Sequence, residues 1–138
     1  MAPPVFVGNN PKGIAITPDG SSAYVTNSDD SSVSVINTFT NTVIGAPIHA
    51  GNGTFGIVIT PDGSRAYVAN EGYGSVSVIN TITNTVIGAP IPVGVSPEAL
   101  VITPDGSRVY VAKVKCRLVR CVIIFYNKYG TLNYFIDL

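Results

Sequence analysis

The sequence predicts an all-β protein: a β-propeller segment of about three four-stranded antiparallel blades, two complete and a third with an irregular C-terminal half. Three observations predict it. The stretch "GIAITPDGSSAYVTN" at residues 13–27 returns as "GIVITPDGSRAYVAN" at Gly56 and as "ALVITPDGSRVYVAK" at Ala99, a period of 43 residues. Internal repeats of that length build propellers or solenoids. Each unit holds four runs rich in Val, Ile, Tyr and Thr, separated by turn residues, and none has helical spacing. Hydrophobic residues make up 46% and charged residues only 12%, a balance suited to sheets covered on both faces.

The elements follow in order. The runs "GIAIT" and "SAYVT" are joined by "TPDG", in which Pro18 presets φ, Asp19 follows and Gly20 supplies a positive φ, closing a tight hairpin. "NSDDSS" and "NEGYGS" lead into the third run, "SVSVIN"; "NTFTNT" and "NTITNT" lead into the fourth, "NTVIGAPI". Val33, Val35 and Ile36 around Ser34 make both faces apolar, so such a sheet is expected to stack on neighbours as a blade does. Residues 1–138 read as one domain, with blade 1 at about 13–50, blade 2 at about 56–93 and a partial blade 3 at about 99–138. "PVFVG" at Pro4 matches "PIHAG" at Pro47 and "PIPVG" at Pro90, so residues 5–7 read as a fourth strand without its own blade. An open segment, or one completed by oligomerisation, is expected.

Residues 113–138 leave the pattern. Set against residues 70–95 they agree only at Val119 and Asn127, and they hold five basic side chains and one acidic, where residues 1–112 hold three and seven. The reading frame shifted or truncated inside a longer repeat array is one origin. A replacement hairpin, "VRCVIIFY" then "NKYG" then "TLNYFIDL", is the other reading. Cys116 and Cys121, both in this tail, cannot complete a four-ligand zinc site without further Cys or neighbouring His.

"ITPDGSSAYVTN" followed by "SVSVINTFTNTVIGAPI" resembles the YVTN-type β-propeller repeat, over about residues 4–112. That resemblance implies a secreted, periplasmic or cell-surface protein. "MAPPVFVG" carries no secretory signal pattern, which leaves the compartment open.

Candidate chemistry is sparse. His49 is the only histidine, and no spacing marks a nucleophile elbow. Asp19, Asp62 and Asp105 recur because the turn wants them. "NSDDSS" offers oxygen ligands but lacks the spacing of a calcium loop, and its copy "NEGYGS" loses both aspartates. "NGT" at Asn52 is a glycosylation sequon, and Tyr24, Tyr67 and Tyr110 are expected to pack between blades. The two full repeats differ at 14 positions, ten of them at 28–31, 49, 50 and 52–55, all at one end of the meander. A constant end and a varied end suggest a binding face, with Lys12, Asp29, Asp30, Phe55, Glu71, Tyr73 and Glu98 as its candidates.

These features suggest a non-catalytic repeat module, a fragment of a surface or periplasmic interaction protein, with no catalytic residues, no metal and no cofactor. Its partners would be an unknown ligand or protein on the loop face and a second copy paired through blade edges. Nucleic acid is not expected, because no basic stripe with aromatics runs through the repeats. A membrane span is not expected either, since the longest apolar run, "CVIIFY", is too short. The alternatives are a remnant of a propeller enzyme, lactonase-like or quinoprotein-like, and a disrupted-gene product without selected function.

Overall fold

The structure, a computed structural model, describes residues 1–113, 122–127 and 132–137, the last two stretches as strands only. Cys116, Cys121 and the "KYG" turn lie outside the described residues. All regular elements described are strands, in three antiparallel sheets.

Blade A holds β1 (Pro11–Ile16), β2 (Ser22–Asn27), β3 (Ser32–Asn37), β4 (Thr42–Val43) and β5 (Ile48–His49). Blade B repeats it with β6 (Thr54–Ile59), β7 (Arg65–Asn70), β8 (Ser75–Asn80), β9 (Thr85–Val86) and β10 (Ile91–Pro92). Blade C runs β11 (Pro97–Ile102), β12 (Arg108–Lys113), β13 (Val122–Asn127) and β14 (Leu132–Asp137) in that order across the sheet.

The repeated turn closes each first hairpin. The Gly20 amide donates to the Thr17 carbonyl at 2.8 Å, the Thr17 amide donates to Ser22 O at 2.9 Å, and Gly20 sits at φ 73°. A β-branched side chain is strained there, so the glycine is set by backbone conformation.

Two expectations change. "NTVIGAPI" is not one strand: β4 pairs with the end of β3 and β5 with its beginning. Between them Gly45 turns to φ 64° and Pro47 follows, which lifts the intervening residues off the ladder. Residues 5–7 form no strand. The corresponding segments β5 and β10 pair with β3 and β8, the third strands of their own blades, and residues 5–7 follow no such third strand among the described residues.

Blade C gives the tail the topology of the repeat without its sequence: β13 reads "VIIFYN" where β8 reads "SVSVIN". Asn127 lies opposite Arg108 as Asn80 lies opposite Arg65, so β13 matches β8 at a spacing of 47 rather than 43. The connection at 114–121 is longer than those at 28–31 and 71–74, and comparison at a constant period pairs Asn127 with the wrong asparagine.

The core lies between blades. Tyr24, Val33, Val35 and Ile48 of blade A pack on Ile57, Ala66, Val68 and Ile79 of blade B; Tyr67, Val76 and Val78 of blade B pack on Leu100, Val109 and Val111 of blade C. The face of blade A that would meet a preceding blade is uncovered. Ile14 is 66% exposed, while Ile57 and Leu100 at the same repeat position are 7% and 9% exposed.

Candidate functional site

The first strands of the blades, β1, β6 and β11, lie side by side. Each carries a bulge at the end where the repeats vary. Pro11 faces Asn27 and Ile14 faces Val25, so Lys12 and Gly13 oppose Thr26 alone. Phe55 and Gly56 similarly oppose Ala69, and Glu98 is the extra residue between the Pro97 and Ala99 pairings. Bulges re-aim side chains and terminate regular pairing, and they recur beside active sites. Here they put Lys12, Phe55 and Glu98 at one position on three consecutive blades.

Close backbone approach builds this row. A Cβ on Gly13 would stand 2.6 Å from the Phe55 carbonyl oxygen, and one on Gly56 would stand 2.2 Å from that of Glu98. Thr26 ties the first seam: its Oγ1 accepts from the Gly13 amide at 2.8 Å and donates to the Phe55 carbonyl at 2.5 Å. The Lys12 ammonium lies 5.4 Å from the Phe55 ring centroid, within cation–π range.

The remaining predicted residues rim the same end. Asp30 accepts from the Asn9 amide at 2.7 Å and from Asn9 Nδ2 at 2.9 Å, and these bonds hold its carboxyl below the usual range. Asp29 accepts from Asn10 Nδ2 at 2.9 Å. Both carboxylates thus anchor residues 9–10. Glu71, half-buried, donates its backbone amide to the Gly53 carbonyl at 2.9 Å, and Tyr73 is exposed. The structure brings Lys12 and Phe55 into contact and aligns Glu98 with them; Asp29, Asp30, Glu71 and Tyr73 stand on the loops of blades A and B around that row.

Sequence reasoning missed the residues that hold the rim in place. Buried Asn27 donates through Nδ2 to Ser32 Oγ at 3.2 Å and to Ser34 Oγ at 2.9 Å, and accepts from the Gly8 amide at 3.1 Å. Asn70 repeats the two donations, to Ser75 and Ser77, while its Oδ1 has no partner among the described residues. Lys113 takes the third such place, its ammonium 2.9 Å from where a Cβ on Gly94 would be. The recurrence of Asn and Ser in "YVTN…SVSVIN" was the available signal.

The opposite end is built from the repeated turns. Asp62 accepts from Thr60 Oγ1 at 2.6 Å and from the Ser64 amide at 3.0 Å, and with Arg65 nearby these hold its pKa at about 2. Asp105 is held at about 2 by Thr103 and Ser107 in the same way. A cleft of about 560 Å³ opens between these two turns.

Three side-by-side meanders, joined through their first strands and packed face to face, decide the architecture. These are propeller blades. A search found no matching family model, and no curated protein matches the sequence. Among solved structures, hydrazine synthase from Kuenenia stuttgartiensis aligns with a TM-score of 0.85 at 29% identity, over 93% of this chain and 37% of that one. A functionally unknown protein from Desulfotomaculum acetoxidans aligns at 0.77 and 25% identity, over 95% and 43%. A Bacteroides fragilis protein assigned as a 6-phosphogluconolactonase aligns at 0.75 and 23%, over 95% and 39%. The chain spans about two fifths of the length of these propeller proteins. They correct one expectation: the non-catalytic reading rested on the scarcity of His and charged residues, yet the neighbours include enzymes, hydrazine synthase among them.

Proposed function

We propose that the chain forms three blades of a propeller enzyme, a lactonase-like hydrolase whose substrate binds at the mouth where the bulged first strands converge. The observation that carries this reading is the row of Lys12, Phe55 and Glu98, one residue from each blade at equivalent bulges. Lactone hydrolysis needs a base for the attacking water and positive charge for the developing oxyanion. Glu98 is the candidate base and Lys12 the candidate cation. Phe55 steadies the ammonium and offers an aromatic surface for the substrate. The enzyme name of one neighbour supports catalysis as the class of function. Further blades complete the ring, and a second copy seated against the Ile14 face of blade A supplies them in this reading.

Hydrolysis of δ-gluconolactone by the purified chain, followed by pH-stat titration, tests the assignment. Turnover above the spontaneous rate is expected, falling at least about a hundredfold in Glu98→Gln, the usual scale for a lost general base, and more modestly in Lys12→Met. Rates equal to background, or unchanged in both variants, reject it.

A further inference from the structure

The forward face of blade B, turned toward blade C, holds a second candidate site, separate from the loop-end mouth. The Tyr67 hydroxyl is buried and has no hydrogen-bond partner among the described residues. Its counterpart Tyr24 donates to Asn84 Oδ1 at 2.5 Å, with the Thr81 carbonyl as a second acceptor at 3.2 Å. A buried donor without an acceptor is a position that favours an incoming oxygen.

A cleft of about 230 Å³ adjoins Tyr67 and is lined also by Arg65, Val78, Ile87 and Ile91. Strand geometry puts these on one face. Arg65 precedes Tyr67 by two residues along β7, and Val78 lies directly opposite Tyr67. The Ile87 amide donates to the Val78 carbonyl at 2.7 Å, and Ile91 pairs beside it with Val76. One end of the cleft therefore carries a phenol donor and a guanidinium, and the other an aliphatic wall. The charge of Arg65 also helps to keep the Asp62 carboxyl ionised, and a guanidinium presents its donors in a planar fork that matches a carboxylate.

We propose that this cleft binds a short aliphatic carboxylate. The volume is below that of drug-sized pockets, so a chain of about four to eight carbons fits its scale. The carboxylate would accept from Tyr67 Oη and lie against Arg65, with its tail along Val78, Ile87 and Ile91. Blade A offers no equivalent, because Ser22 replaces Arg65 and Asn84 already satisfies Tyr24.

Isothermal titration calorimetry of the full chain with hexanoate tests this, with hexylamine as the head-group control. Saturable hexanoate binding is expected, weakened at least about tenfold in both Tyr67→Phe and Arg65→Met, the scale of a hydrogen bond to a charged group. Tyr67→Phe removes no hydrogen bond made among the described residues, so the variant tests binding in an intact fold, checked by its circular dichroism. No saturable binding, equal binding by both variants, or equal binding of hexylamine overturns the proposal. Because neither Glu98 nor Lys12 lines the cleft, lactone hydrolysis can fail while hexanoate binds, and the reverse.

Discussion

The Tyr24 hydroxyl reaches across the seam between the first two blades to Asn84 Oδ1 at 2.5 Å, while Tyr67, one repeat later, has no acceptor among the described residues. One repeated residue thus does different work at two seams. Removing a satisfied buried hydroxyl costs about 1–2 kcal/mol, whereas removing an unsatisfied one is neutral or stabilising. Tyr24→Phe is expected to lower stability by that amount in urea denaturation, and Tyr67→Phe to leave the midpoint unchanged or raise it. Equal losses in the two variants would show that the seams are equivalent.

The close approach of β6 to β11 yields a second prediction. A methyl group at Gly56 would meet the Glu98 carbonyl oxygen at 2.2 Å, and backbone on both sides leaves no flexible side chain to yield. Gly56→Ala is expected to destabilise by about 1–3 kcal/mol, as overpacking does. It should also disturb the bulges that place Phe55 and Glu98, so substrate turnover should fall with it. Gly88→Ala serves as the comparison, since its φ of 65° is strained but a Cβ there meets nothing within 4 Å. If Gly88→Ala proves the more damaging, the blades are not held as closely as the structure shows.

Acid should loosen the turn end. Asp62 and Asp105 titrate at about 2 in the folded chain, below the ordinary 3.8, because hydroxyl and amide donors favour the ionised form. A folded-state value below the unfolded one gives stabilisation that is full above the unfolded pKa and lost as pH falls through the folded pKa. The melting temperature should therefore be flat from neutral pH to about pH 4 and drop between about pH 4 and 2. Asp62→Asn with Asp105→Asn should lower the neutral-pH melting temperature and flatten that drop. An unchanged acid limb in the double variant would assign it to other groups. Both carboxylates are exposed, so the effect is modest per turn.

Self-association follows from the uncovered face of blade A. The preceding blade covers Ile57 and Leu100, and no described residue covers Ile14. Sedimentation velocity is expected to show a concentration-dependent dimer for the parent chain, and Ile14→Lys should be monomeric with unchanged circular dichroism, since a charge cannot be buried unpaired at such a seam. A parent chain that remains monomeric at high concentration would remove the second copy as the occupant of this face.

Much of the fold was legible in the sequence because it is written by local chemistry repeated at one spacing. "TPDG" specifies its hairpin through Pro18, Asp19 and Gly20 alone, and the buried tyrosines follow from their place inside a strand. Three features were not legible. The bulges at Lys12, Phe55 and Glu98 depend on which residue faces which across two strands, and alternation along one strand does not record that. The place of β13 as the counterpart of β8 rests on strand pairing, since the connection before it is longer and "VIIFYN" shares only its final asparagine with "SVSVIN". The anchoring of residues 9–10 by Asp29 and Asp30 joins segments about 20 residues apart, and in the sequence the two aspartates read only as candidates for a binding face.

The interrupted fourth strand has a consequence for how the molecule avoids polymerising. A long, flat outer strand offers free amides and carbonyls to any passing chain, and proline or a kink there denies it a continuous template. In blades A and B the outermost strand comes in two-residue pieces, broken by Gly45 and Pro47 and by Gly88 and Pro90. Blade C instead ends on β14, a six-residue strand at the end of its sheet whose pairing with β13 shifts once, at Asn133. Fibril growth by strand addition would begin at that margin, and a proline placed within β14 is the substitution that would blunt it.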